Sequence, residues 1–261
     1  MLGVLELFDD RTLFVRCEDV ERALDCSRAT AYRYLTHLAD VGLVTPTSDS
    51  KYVLGARIVE LDRLLRRNDP MLRCARPVMD RVASETGLNM LLCSYYGDRV
   101  MCVHAVWPDT SIEQRYERGK PMPLFQGALA KIILAHLQPH QLKNTMLWHA
   151  EEIRGAGLGR GWDEYRANMM QLRAEGSCVT RGEIAPESVG VAAAVLSPAH
   201  RVLGSIVFAI PNKRFDEIGE DYARSRITQA ADAIREALAQ SELSEEAGGA
   251  RTRPAKAQSG N

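Results

Sequence analysis

The stretch Ser27-Arg28-Ala29-Thr30-Ala31-Tyr32-Arg33-Tyr34-Leu35 follows a turn signal at Asp25-Cys26 and precedes Gly42. Ser27 is an N-cap residue and Gly42 a left-handed stop, so one helix is expected to run from Ser27 to Val41. At 100° per residue Ala31, Tyr34, Leu35 and Leu38 share one face, and Ala29, Arg33, Thr36 and Asp40 share the opposite one. Upstream, residues 17–24 read as a shorter helix with Val20, Ala23 and Leu24 inward. Two short helices joined by a tight turn, the second carrying Ser27, Arg28, Thr30 and Arg33 in its first two turns, form a helix-turn-helix pattern. In that arrangement a helix end with amide and small polar donors enters the major groove. Arg forks onto guanine or holds a phosphate, and Ser and Thr serve either partner.

Downstream, Leu43-Val44-Thr45 and Tyr52-Val53-Leu54 flank Pro46-Thr47-Ser48-Asp49-Ser50-Lys51, a hairpin with a polar tip that reads as a wing. The candidate DNA contacts are Ser27, Arg28, Thr30, Arg33, Tyr34 and Lys51. Between Cys26 and Arg57 the bases Arg28, Arg33, Lys51 and Arg57 stand against Asp40 and Asp49, a net of +2. That is a modest footprint, so one copy should bind weakly and dimerisation must supply the rest. The alternative is a small helical module that docks protein.

The whole chain has 261 residues, enough for between one and two domains. Its charges nearly balance, with Lys+Arg 33 against Asp+Glu 34, so global charge points to neither nucleic acid nor membrane. No apolar run approaches the ~20 residues of a membrane helix. The start, Met1-Leu2-Gly3-Val4-Leu5-Glu6, meets acid early and lacks a basic flank, unlike a secretory signal. Six scattered cysteines without a C-x-x-C pair suggest reduced thiols in a cytoplasm and no zinc ribbon.

Residues 1–55 are expected to form the winged helix, 56–70 a charged, Leu-rich helix, 71–243 a second domain and 244–261 a disordered tail. In the third region strand patterns at 89–95, 99–106, 111–116, 178–181, 189–196 and 202–210 alternate with helical ones at 71–86, 127–137, 139–149, 162–175 and 222–242. Strands in pairs between helices indicate an α+β fold with an antiparallel sheet. Gly155-Ala156-Gly157-Leu158-Gly159-Arg160-Gly161 lacks a leading strand and reads as a loop, not a phosphate cradle.

The helix 27–35 stretch, Leu38, Gly42-Leu43-Val44 and Tyr52-Val53-Leu54-Gly55 resemble the DNA-binding domain of the isocitrate lyase regulator (IclR) family of bacterial transcription factors. The likeness continues in Ala83-Ser84-Glu85-Thr86-Gly87, in Gly119-Lys120-Pro121-Met122-Pro123-Leu124, and in the run from Gly127 to Ala135. It ends in Arg181-Gly182-Glu183, seven residues before Gly190-Val191-Ala192-Ala193-Ala194-Val195. The resemblance implies a winged helix-turn-helix, a linker helix and a C-terminal GAF-like effector domain. It also implies self-association as a homodimer or dimer of dimers, palindromic operator DNA, and a small organic-acid effector. Family members usually begin earlier, before the first helix, so either an upstream start or missing DNA contacts is expected. The family's acid-binding arrangement matches the backbone amides of Ala128 and Leu129 and the acid Glu183. The positions that carry small polar or thiol side chains in the family are here Ala193, Val207 and Ala209.

Amides at the first turn of helix 127–137 favour a carboxylate, and apolar strand positions favour an aromatic or alkyl body over a small keto acid. His104, His136, His140 and His149 lack an H-E-x-x-H spacing and read as surface or satisfied histidines. Cys93 and Cys102 face each other across a hairpin; packing is the main reading and a redox sensor the minor one. Trp107, Trp148 and Trp162 either line a cavity mouth or anchor loops. Arg63-Leu64-Leu65-Arg66-Arg67 reads as a solvated helix face. Ser188 and Ser197-Pro198 sit in no nucleophile elbow, and no carboxylate pair demands catalysis, so no enzyme, metal or cofactor is expected. The reading is a metabolite-responsive regulator whose ligand shifts the population of two arrangements; the alternatives are an interaction module and a small-molecule enzyme that does not bind DNA.

Overall fold

The computed structural model describes residues 1–251, with side chains through Leu243. The chain divides into two compact units, Met1–Asp69 and a larger one from Pro70 onward. The expected tail falls partly within the last helix, whose backbone runs to Arg251; residues 252–261 lie outside the described residues.

The first unit opens with a 3-10 turn, Leu2–Leu7, followed by α1 (Cys17–Leu24) and α2 (Arg28–Asp40). Asp25, between the helices, adopts the left-handed conformation (φ 46°), which makes the tight turn. Ser27 caps α2, its Oγ accepting from Thr30 N at 3.4 Å, and Gly42 (φ 73°) ends the helix region. The small core joins Val4, Val15, Val20, Ala31, Leu35, Leu38 and Val44. Ala23 is exposed, contrary to expectation, because Val20 and Leu24, one turn apart, supply the inward face of α1. The wing pairs β1 (Val44–Pro46) with β2 (Tyr52–Leu54), and Val15 adds an unforeseen bridge to Tyr52. α3 (Ala56–Asn68) follows and buries none of its residues within the single chain.

The second unit begins with α4 (Pro70–Thr86), then β3 (Asn89–Tyr95), β4 (Val100–Val106) and the two-residue β5 (Pro121–Met122). Helices α5 (Gly127–Ala135), α6 (Pro139–Trp148), α7 (Ala150–Gly155) and α8 (Trp162–Glu175) precede β6 (Cys178–Arg181), β7 (Ser188–Leu196) and β8 (Val202–Pro211). The chain closes with α9 (Asn212–Ile218) and α10 (Glu220–Arg251). The six strands form one antiparallel sheet in the order β5-β4-β3-β8-β7-β6.

Alternation along the strands assigns each face its own cover. Met90, Leu92, Val189, Val191, Ala193, Val195, Ile206, Phe208 and Ile210 pack with α4 and α10. Leu91, Cys93, Cys102, Ala192 and Val207 pack under α5. Every residue of α5 except Lys131 is buried, which is why its sequence shows no polar face. Ser205 Oγ, fully buried, donates to Leu129 O at 3.1 Å and ties α5 to the sheet.

The strand expected at 111–116 does not form. Its backbone is held by side chains and not by a ladder: Trp107 Nε1 donates to Ile112 O at 3.3 Å, and Asp109 Oδ1 accepts from Ser111 N at 2.9 Å. The edge beside β4 is taken by Pro121-Met122 instead. α7 and α9 were not expected; both are under eight residues, too short for a periodic signal.

Candidate functional site

In the first unit the start of α2 presents Ser27, Arg28 and Arg33 to solvent, with Thr30 half-buried. Arg28 pairs with Glu18 of α1 at 3.1 Å, whereas Arg33 has no ion pair among the described residues. Lys51 is folded back: its ammonium contacts Asp49 and lies 4.3 Å from the centre of the Phe14 ring. Hydrogen bonds from Lys51 and Thr47 lower the Asp49 carboxyl to a pKa of about 2. Tyr34, expected at the DNA face, packs against the core instead, since it lies on the same side of the helix as Ala31 and Leu38. The exposed tyrosine is Tyr32, at 61%. Its place between Arg28 and Thr36 on the helical wheel was available in the sequence and was overlooked.

In the second unit a cleft lies between the α5 side of the sheet and two segments, 107–116 and 183–188. Its cavity volume is about 60 Å³, and its mouth is open to solvent. Leu91, Val207 and Ala209 form its floor, Leu129 and Met122 one wall, and Trp107, Ile112 and Ile184 its cover. Val207 and Ala209 therefore stand where the sequence reading put them. Ala193 does not: it faces α4 and α10 on the other side of the sheet. A strand's side-chain period of two leaves even-numbered positions of β7 to the cleft, and Ser188 and Gly190 line it.

The polar groups at the start of α5 already have partners. Gly127 N donates to Glu183 Oε2 at 2.9 Å, and Ala128 N donates to Thr180 Oγ1 at 3.0 Å. The other oxygen of Glu183 holds Lys131 Nζ at 2.6 Å, and the Lys131 side chain is only 13% exposed. Gly127 has φ 80°, and a Cβ there would come within 2.8 Å of Ile184, so only glycine lets the helix begin this close to the 183–188 segment. Glu183 is thus where the sequence reading placed it, but as a cap on the helix. At the mouth, Arg115 Nη2 meets Glu187 Oε1 at 3.1 Å and Arg115 Nε lies 3.7 Å from Glu113. A backbone amide, then Arg115, holds the Glu187 carboxyl below the usual range.

Cys93 and Cys102 are register partners, both buried under α5; the neighbouring Cys102 thiol and burial push the Cys93 thiol up, and Cys102 Sγ donates to His104 O at 3.6 Å. His136 Nδ1 bonds Ile132 O at 2.9 Å, and burial pushes His104 and His136 below their ordinary value. Trp107 lines the cleft, Trp162 at the start of α8 packs on the cluster that holds Leu134, Leu142 and Ile153, and Trp148 is 81% exposed. Among the described residues no group of three or more His, Cys, Asp or Glu could hold a metal. No helix among them is long and apolar enough to cross a membrane.

A winged helix-turn-helix in one unit and an apolar cleft in the other suit a regulator of transcription. Residues 65–236 match the family described as bacterial transcriptional regulator IclR C-terminal, and the chain belongs to the IclR family. It is 23% identical over 221 residues to the DNA-binding transcriptional repressor YiaJ of Escherichia coli, covering 81% of this chain and 77% of that one. It is 21% identical over 207 residues to the HTH-type transcriptional regulator KipR of Bacillus subtilis, covering 78% and 82%. Among solved structures, an IclR homologue from Microbacterium hydrocarbonoxydans complexed with 4-hydroxybenzoate matches with a TM-score of 0.74 at 20% identity, over 92% of this chain and 97% of that one. Thermotoga maritima IclR matches with a TM-score of 0.65 at 18% identity, over 91% and 96%. These relatives are named for regulation of transcription and not for enzymes.

Proposed function

We propose that this regulator reads a palindromic operator as a homodimer or dimer of dimers, and that a small, flat organic acid bound in the cleft controls it. The observation that carries the effector half is the cleft itself. Its floor and cover are aliphatic and aromatic, its mouth opens to solvent, and a relative of the same fold is complexed with 4-hydroxybenzoate. An aromatic ring would lie between Val207 and Ala209 on one side and Trp107 and Ile112 on the other once the cover segments part. Leu129 contributes apolar wall. The amide of Ala128 is engaged by Thr180, which argues against the helix start as the open carboxylate site.

For DNA, the support is the exposed first turns of α2, with Ser27, Arg28, Thr30 and Arg33 for the groove or its phosphates. Lys51 joins them only by leaving Asp49. Self-association is supported by α3, where Leu61, Leu64 and Leu65 share one side of the helix and are 38%, 40% and 62% exposed. Uncovered residues of this size on a helix favour a partner.

Selection from random duplex DNA by gel shift, at stated salt, tests the first half. An enriched palindrome supports the operator reading, and no enrichment sinks it in favour of an interaction module. Titrating 4-hydroxybenzoate, benzoate and pyruvate against the enriched duplex tests the second. Response to pyruvate but to neither aromatic acid would overturn the effector class.

A further inference from the structure

We propose that Arg115 is the residue that recognises the acid, taking the effector's carboxylate in exchange for Glu187. This rests on the reading of the cleft as the effector site and adds where the ligand's charge goes.

The charged residues that line the cleft are Glu113, Arg115, Glu183 and Glu187, so Arg115 is the only cation among the described lining residues. The other end of the cleft cannot take an acid as it stands. Glu183 and Thr180 occupy the amides of Gly127 and Ala128, and Lys131 lies behind Glu183 as its counter-ion. A second carboxylate at the next amide of α5 would sit beside Glu183 and be repelled by it. An anion brought into an otherwise apolar slot needs a cation that can hydrogen-bond it. Arg115 meets both needs: its side chain is 43% exposed, and it lines both the cleft and the adjoining polar mouth that also holds Lys120.

The existing pair is built for exchange. Glu187 contacts the guanidinium through one oxygen at 3.1 Å, and its side chain is 40% exposed, so the pair is solvated and weakly held. A planar guanidinium can present two parallel N–H donors to an incoming carboxylate, which this single contact does not use. Only the Glu187 side chain has to move, because its backbone carbonyl stays bonded to Asn212 N at 3.0 Å. The ring of an aromatic acid fills the slot beside Trp107, an apolar contribution that the Glu187 side chain cannot make. Exchange also breaks the Arg115–Glu187 link between the two cover segments, which couples occupancy to their arrangement.

The test uses the full chain with two probes of equal shape, 4-hydroxybenzoate and the uncharged 4-hydroxybenzamide, measured by calorimetry. The wild type should bind the acid. Arg115→Gln should weaken the acid at least tenfold and leave the amide within twofold. Glu187→Gln, which removes the competing carboxylate, should tighten the acid several-fold and leave the amide unchanged. Equal acid binding by wild type and Arg115→Gln overturns the assignment while the cleft reading stands. Loss of acid and amide together in Arg115→Gln also overturns it, since the residue would then only shape the cleft. If the wild type binds neither probe, the aromatic-acid reading of the cleft fails and this assignment fails with it.

Discussion

Neutralising Glu183 should destabilise the second unit through one side chain, Lys131. In Glu183→Gln the shape is kept and the charge is lost, while Lys131 stays 13% exposed without its counter-ion at 2.6 Å. Hydrogen bonds to charged groups contribute about 1.5–3 kcal/mol. Glu183 itself is 32% exposed, so solvent takes up part of the loss and the lower end, about 1.5–2 kcal/mol, applies. The carboxylate also caps α5 through Gly127 N, and losing a charge at a helix start adds about 0.3–1 kcal/mol. A total near 2 kcal/mol corresponds to a fall in Tm of roughly 4–8 °C for a unit of this size. Urea unfolding followed by circular dichroism measures it, and a cycle with Lys131→Met isolates the pair, with an expected coupling of about 1.5 kcal/mol. The coupling should survive ~0.5 M salt, because the ammonium is nearly buried. A loss below ~0.5 kcal/mol, or a coupling indistinguishable from zero, would refute the reasoning. It would mean that Glu183 does not fill the helix start, leaving those amides open to a ligand's acid.

Replacing Leu61 and Leu65 of α3 together by Ser should leave circular dichroism unchanged and shift sedimentation toward monomer; unchanged sedimentation would remove α3 from the interface. Arg33→Ala should cut operator affinity and lower its salt slope by about one if Arg33 holds a phosphate, or relax base preference at one position if it reads guanine. Ser27→Ala should cost about 0.5–1 kcal/mol in the first unit, since the cap bond at 3.4 Å is long. Burial lowers His104 and His136 from the ordinary 6.5, so the unfolded chain takes up protons first as pH falls. Their stability contribution is complete above about pH 6.5 and lost as pH drops through the lowered folded values, ahead of most carboxylates. Urea midpoints should therefore fall between pH 7.5 and 5, and His104→Gln with His136→Gln should flatten that slope; a flat wild-type profile would contradict it.

Local chemistry was legible and long-range pairing was not. The Asp25 turn, the Ser27 cap and the wing are signals carried by residues a few positions apart, and the helix-turn-helix was read from them. Strands 89–95 and 178–181 were read from their own apolar runs. The contacts that define the cleft join residues far apart: Thr180 with Ala128, Glu183 with Lys131, and Arg115 with Glu187 across 72 positions. No periodicity reports such pairs. Segment 111–116 has strand-like composition but its would-be edge is taken by two residues at Pro121-Met122. Ala193 comes to the candidate site by the family resemblance alone, and in Ala192-Ala193-Ala194 three identical residues carry no signal of which parity faces which side.

That parity divides the labour of β7 in a way that matters for divergence. Val189, Val191, Ala193 and Val195 answer to α4 and α10, where a methyl group too many or too few is felt throughout the interior. Ser188 and Gly190, interleaved with them, face the cleft, and Ser188 Oγ donates to Ala185 O at 3.2 Å. A Cβ on Gly190 would lie 3.3 Å from Thr180 Oγ1, 3.6 Å from the Ala128 Cβ and 3.8 Å from Val207, so even a small side chain narrows the slot and presses on the hydroxyl at the start of α5. One strand therefore carries two alphabets in alternation, one answering to the interior and one to the cleft. A sheet built this way can change what its cleft admits while the packing on its other face stays intact.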